Sequence, residues 1–343
     1  MPVADSQPRP RHRRRGLYAP FILLLIVAAA WTFGWLWMRS QVARHLDAFR
    51  SAMVQAGYDV TWRTQSVWGY PFRLDVSLSD FAMRAPAGWR LSVPTANAEA
   101  EVLAPGHWVL DIPSDLTLTS RAGEALLIRT KVLRASLSDI EDHPPRLSVE
   151  GLGVTLNGPE SANPFYFSSA GELHLHTRAG PDDQGALYLE VDQATAPFTG
   201  LLGRIADGKP VTLIADTIYS HAGALSGADW ASSVGRWRDA GGVLDMRTLK
   251  LQAGDAVLDA KPGTLTVDRD GRLKGSLSVA LRAAPRALAA MTRSGALRPE
   301  TAATAASVLD ASHQGAVDAV TIDFQAGQTT LGPAAIGPSP KVY

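Results

Sequence analysis

Cysteine is absent from the 343 residues. That excludes disulfides, thiolate metal ligation and a cysteine nucleophile together, and it suits an oxidising compartment. Net charge is absent too: 33 Lys and Arg balance 33 Asp and Glu, so no global field draws the chain toward nucleic acid or an acidic partner. Phosphate-cradling glycine loops are also missing. Gly151-Leu-Gly153 lacks the third glycine of a dinucleotide fingerprint, and no G-x-x-x-x-G-K-[ST] occurs. In Gly223-Ala-Leu-Ser-Gly227 the serine, Ser226, is fourth of five, whereas a nucleophile elbow needs it third.

What charge there is gathers at the start. Arg9, Arg11, Arg13, Arg14 and Arg15 precede an uncharged run over residues 17–38, which has the length of a helix that crosses a bilayer. The basic flank predicts a cytoplasmic tail over 1–16, a signal anchor over 17–38 and an exported body. Trp31, Trp35 and Trp37 mark the exit end, where an aromatic belt belongs. Ala28-Ala29-Ala30 offers the alternative of a cleaved signal peptide, but the apolar run continues past it. The localisation expected is an inner membrane, with the body in the periplasm.

Val42, Leu46, Phe49 and Met53 then fall at helical spacing before Gly57, predicting an amphipathic helix over 39–57. From residue 58 the period becomes that of strands. In WGYPFRLDVSLSD, Phe72, Leu74, Val76 and Leu78 alternate with polar partners; Trp108, Leu110 and Ile112 do so in WVLDIP, and Leu173 and Leu175 in ELHLHTR. The segment GTLTVDRDGRLKGSLSV reads as a hairpin turning at Asp270-Gly271. AVTIDFQAGQTTLGP reads as another. Trp230, Val234 and Trp237 predict a short helix, and the Ala-rich stretch 285–311 predicts two, broken near 295–299. The fold class expected is mainly β: a curved antiparallel sheet, trough or sandwich-like, with a few helices behind one membrane helix. The turn-rich stretch 157–185 is the expected seam if the 58–343 domain has two lobes.

Chemistry is scarce. Glu172, His174 and His176 share a strand face and could face zinc, but with no fourth ligand nearby they read as a solvated polar face. Asp268-Arg-Asp-Gly271 lacks the remaining positions of a calcium loop. No catalytic residue, cofactor site or metal site is assigned.

The order of parts, a basic tail, one span, a helix, a WGYPFRLDV strand, the GTLTVDRDGRLKGSLSV hairpin and the ending LGPAAIGPSPKVY, resembles the alphaproteobacterial envelope family called domain of unknown function 2125. That resemblance carries no activity. An anchor followed by many alternating strands is also similar in architecture to AsmA-like proteins, whose curved sheets form apolar troughs associated with phospholipid movement. The expectation is a nonenzymatic protein whose partners are the inner membrane and a phospholipid or other apolar ligand, without nucleic acid. Its ligand-facing residues would be Phe72, Leu74, Val76, Leu78, Trp108, Leu110 and Ile112, at the mouth of a trough. The rivals are a structural or protein-interaction module of the envelope and, further off, an exported hydrolase.

Overall fold

A computed structural model describes residues 15–163, 165, 167–197, 201–226, 229–313 and 320–343; Arg9, Arg11, Arg13 and Arg14 lie outside the described residues. The uncharged run and the amphipathic run join in one helix, α1 (Arg15–Gln55), 41 residues long. At 1.5 Å per residue that is about 62 Å, roughly twice the thickness of a bilayer core. Its first half is bare: Phe21, Leu24 and Leu25 are exposed, and its most apolar window has a mean hydropathy of 2.1. This helix is long and apolar enough to span a membrane, consistent with single-pass anchoring. At the other end Gly57 stops it, as expected. The Tyr58 N–H donates to the Met53 carbonyl (2.9 Å) and the Gly57 N–H to that of Val54 (3.0 Å), which satisfies the last carbonyls.

Strands follow in hairpin order: β1 (Asp59–Thr61), β2 (Thr64–Trp68), β3 (Arg73–Arg84), β4 (Arg90–Glu101), β5 (Ala104–Asp111), β6 (Leu116–Thr119), β7 (Ala125–Arg129), β8 (Val132–Ser138), β9 (Arg146–Asn157), β10 (Ser169–Ala179), β11 (Gly185–Ala194), helix α2 (Leu201–Ala206), then β12 (Val211–Tyr219). After helix α3 (Trp230–Asp239) come β13 (Leu244–Ala253), β14 (Ala256–Ala260), β15 (Gly263–Val267) and β16 (Leu273–Arg282). Helices α4 (Ala284–Arg293) and α5 (Pro299–His313) precede β17 (Val320–Gln325), β18 (Gln328–Leu331) and β19 (Ala334–Pro338). The short helices and both C-terminal hairpins stand where the sequence places them.

The 19 strands of the described residues belong to one sheet, and its ladders are antiparallel. Hairpin neighbours pair in turn, except where two short strands share one place end to end. β1 and β2 both pair with β3, β5 and β6 with β4, β8 and β7 with β9, and β14 and β15 with both β13 and β16. Among the described residues β2 and β19 each have one paired edge, so the sheet is open. Along the stretch 157–185, the expected seam, the sheet is continuous. It contains β10, paired with β9 on one side and β11 on the other, and its turn residues close hairpins of that sheet.

The long strands change phase part-way. In β3 the apolar set Leu74, Val76, Leu78 gives way to Phe81 and Met83 across Asp80, whose φ is 49°. In β9 it passes from Leu147 and Val149 to Val154 and Leu156 across Gly153, φ 59°. Register partners share a face: Met83 pairs with Leu91, Leu91 with Leu118, Leu118 with Leu126, and Leu156 with Ile128. The resets thus keep one face apolar while bending the strands, as bulges do. Helices cover this face at separate places. Trp35, Met38, Val42 and Leu46 of α1 lie on Val67, Leu74 and Val76. Leu202 and Ile205 of α2 lie near Val211 and Ala253, Val234 and Trp237 of α3 on Tyr219 and Val267, and Leu288 and Leu309 of α4 and α5 on Leu277 and Ile322.

Candidate functional site: the apolar face of the sheet

The residues expected at a trough mouth divide into three groups. Leu74 (1% exposed) and Val76 (5%) are closed beneath α1, so the helix, not a ligand, occupies that part of the face. Val42 and Leu46, from the amphipathic stripe expected over 39–57, are part of its cover. Phe72 precedes β3 and stands 69% exposed in the turn 69–72. Leu78 and Trp108 are half-buried at the border of the α1 contact, and Leu110 and Ile112 continue the same face beyond it.

Past Trp108, among the described residues, no helix packs on the face. Trp108 pairs with Leu137 and Leu110 with Ala135; Leu137 pairs with Leu147 and Ala135 with Val149; Val149 pairs with Leu175. Leu110, Ala135, Leu137, Leu147, Val149 and Leu175 belong to none of the four buried clusters, and none is buried. They form a stripe across β5, β8, β9 and β10, bounded by α1 on one side. On the other it meets Leu173, Leu189 and Leu213, which pack against the α2 cluster. Beyond these, between α2 and α4, lies an apolar cleft of about 180 Å³ lined by Leu202, Ile205, Leu251, Leu258, Leu288 and Met291 among others. An apolar cavity of ~150 Å³ stays dry and admits a benzene-sized guest. Sequence alternation names Leu173 and Leu175 as apolar, but only the pairing of β8 with both β5 and β9 assembles the stripe.

The opposite face is polar and internally paired. Glu172 Oε2 lies 3.3 Å from His174 Nε2, and the His174 and His176 rings stack at 6.2 Å. The Tyr188 phenol donates to Glu190 at 2.7 Å, and that bond, aided by burial and nearby carboxylates, pushes its pKa up to about 12. Among the described residues no three His, Asp or Glu side chains are grouped to hold a metal ion. A hollow of about 420 Å³ on this face is lined by Arg73, Asp75, Glu99, Asp111 and Arg134; Arg73 bonds Glu99 at 3.0 Å, so part of its charge is paired. Asp268 Oδ1 accepts the N–H groups of Asp270 and Arg272, both at 2.9 Å, which is turn chemistry and leaves that oxygen committed to the backbone. Ser226 follows a short helical turn over Ala222–Ala224, and Gly227 lies outside the described residues.

The WGYPFR segment has a function its alternation does not reveal. The Trp31 indole N–H donates to the Pro71 carbonyl (2.9 Å), that of Trp35 to the Arg73 carbonyl (2.9 Å), and the Thr32 and Tyr70 hydroxyls share a bond of 2.8 Å. Gly69 makes the turn possible: its φ is +102°, and a Cβ there would sit 2.6 Å from the Arg73 carbonyl oxygen. Three indoles at the exit of an apolar run, followed by an aromatic turn, are the signal in the sequence.

The bacterial family described as "Uncharacterized protein conserved in bacteria (DUF2125)" matches residues 35–340. No curated protein and no solved structure gives a significant match.

Proposed function

We propose, for a chain that belongs to the DUF2125 family and carries a helix able to cross a membrane, that it is a noncatalytic envelope protein holding lipid-like apolar ligands against the sheet. The observation that carries this reading is the uncovered stripe of Leu110, Leu137, Leu147, Val149 and Leu175 beside α1. Four other patches of the same face have a helix packed on them; here, among the described residues, half-exposed aliphatic side chains have none. An acyl chain laid on it gains about 25 cal/mol for each Å² of apolar surface removed from water, without directed chemistry. The arginine-rich flank supports a cytoplasmic N-terminus and a body outside an inner membrane, in the periplasm. The trough-like AsmA architecture is an analogy in keeping with this reading.

Lipid extracted from the purified full-length protein and measured by mass spectrometry tests it. The parent should retain phospholipid through detergent exchange. The double variant Leu137→Ser with Leu175→Ser should lose most of it while still folding, at a lowered melting temperature, because both side chains are half-buried and not enclosed. The polar-face change Glu172→Ser with His174→Ser should keep it. A parent free of lipid, or equal retention by all three, contradicts the proposal.

A further inference from the structure

The turn 69–72 is tied to α1 at a definite height. Hydrogen bonds from residues 70–73 reach Trp31, Thr32 and Trp35, whereas the apolar run of the helix continues past them: Trp37 (61%), like Phe33 (73%) before Trp35, remains exposed, and the first charge after the run is Arg39. With 1.5 Å rise per residue, Trp31 lies about 12 Å on the membrane side of Arg39, and Tyr18 to Trp37 spans about 29 Å, close to a hydrocarbon core. Seating that run in a bilayer therefore carries the turn into the membrane's outer zone.

The side chains there suit that place. Trp68, Tyr70 and Phe72 are all exposed, at 66%, 51% and 69%. The Arg39 guanidinium stands over the rings of both Trp35 (5.9 Å) and Trp68 (5.8 Å), which puts Trp68 at the level of the first charge and leaves Tyr70 and Phe72 deeper. The next hairpin tip adjoins: the Val102 N–H donates to the Phe72 carbonyl at 2.9 Å, and the following Leu103 is 82% exposed. Two hairpin tips that share an exposed apolar surface, with no acidic residue in 68–72 or 102–104, match the amphipathic belt that aromatic residues form at a bilayer surface.

We infer that the tips of the β2–β3 and β4–β5 hairpins are inserted in the interface of the membrane that α1 crosses, so that the sheet rises from the lipid instead of hanging on a bare stalk. The occupant is lipid, argued from the continuity of this surface with the apolar half of α1. This second contact fixes the helix's rotation and brings the end of the uncovered stripe beside the bilayer. It does not depend on a ligand being held there.

The lack of cysteine makes the test clean. Phe72→Cys and Leu103→Cys, each as the sole cysteine of the full chain, are labelled with a nitroxide and reconstituted in phosphatidylcholine–phosphatidylglycerol vesicles. Collision with oxygen, which prefers lipid, is compared with collision with a water-soluble nickel chelate. Val27→Cys in the exposed apolar run is the lipid reference. Ala122→Cys, exposed in the turn joining β6 and β7 at the far end of the sheet, is the aqueous one. Both tip labels should show an oxygen-to-nickel ratio several-fold above that of Ala122→Cys and toward that of Val27→Cys. Ratios equal to the Ala122→Cys value overturn the inference, whether or not the protein retains lipid elsewhere.

Discussion

Trp35 stands where the bare half of α1 becomes the covered half. It is 5% exposed, its indole N–H bonds the Arg73 carbonyl, and its ring meets that of Tyr70 edge-on at 5.5 Å. Packing and the hydrogen bond make separable demands. Trp35→Ala removes both and should destabilise the docked helix by about 3–5 kcal/mol, the range for a buried large aromatic. Trp35→Phe keeps most of the packing and should cost about 1 kcal/mol, the worth of one hydrogen bond. Thermal unfolding of the detergent-solubilised chain checks the order; equal melting of parent and Trp35→Ala would show that the helix is not held at this residue. Leu74 beneath it was identifiable as an inward residue from alternation alone. Its partner was not, because alternation states which side of a strand is apolar and nothing about what lies on it.

Among the elements, α2 and α4 are held over the sheet partly by charge. Lys209, just past α2, reaches both carboxylate oxygens of Asp255 at 2.7 Å, and Arg286 of α4 pairs with the same carboxylate. Lys209 chiefly, with Arg286, holds that carboxyl below the usual carboxylate range. A carboxyl with a depressed folded pKa contributes stability above its unfolded value and loses it as pH falls through the folded one. Asp255 is solvent-exposed, so the effect is modest and salt-sensitive. Asp255→Asn should speed amide exchange in α2 and α4 at neutral pH. Acid should do the same to the parent, and high salt should narrow the difference. Unchanged exchange in both helices would show that the clamp holds nothing. The elements themselves were largely legible: α3, α4, α5 and the C-terminal hairpins follow from caps, turn residues and period. The phase changes were not. Gly153 looks like any strand glycine and Asp80 like any polar strand residue, since a left-handed φ favours Gly, Asn and Asp but most such residues in a chain do not adopt it in mid-strand.

Across the whole molecule, one face stays apolar through every bend, and four patches of it are closed by helices. The stripe between α1 and the α2 cluster has no helix packed on it among the described residues. Its existence could not be read from the sequence, because Leu110, Leu147 and Leu175 have the same local pattern as the covered Leu74; only strand order, with β8 between β5 and β9, separates open from closed. The continuity of the sheet across 157–185 was hidden for a related reason: loop composition marks where a chain turns, whereas hydrogen-bonded ladders decide whether a sheet ends. The measurement that bears most directly on the stripe is a crosslinking map. A phospholipid with a photoreactive acyl chain is incorporated in vesicles with the full-length protein, irradiated, and its attachment points are read by peptide mass spectrometry. The account predicts adducts on β5, β8, β9 and β10, around Leu110, Leu137, Val149 and Leu175, in addition to those on the apolar half of α1. Adducts confined to α1 and the hairpin tips, with none on the stripe, would contradict it.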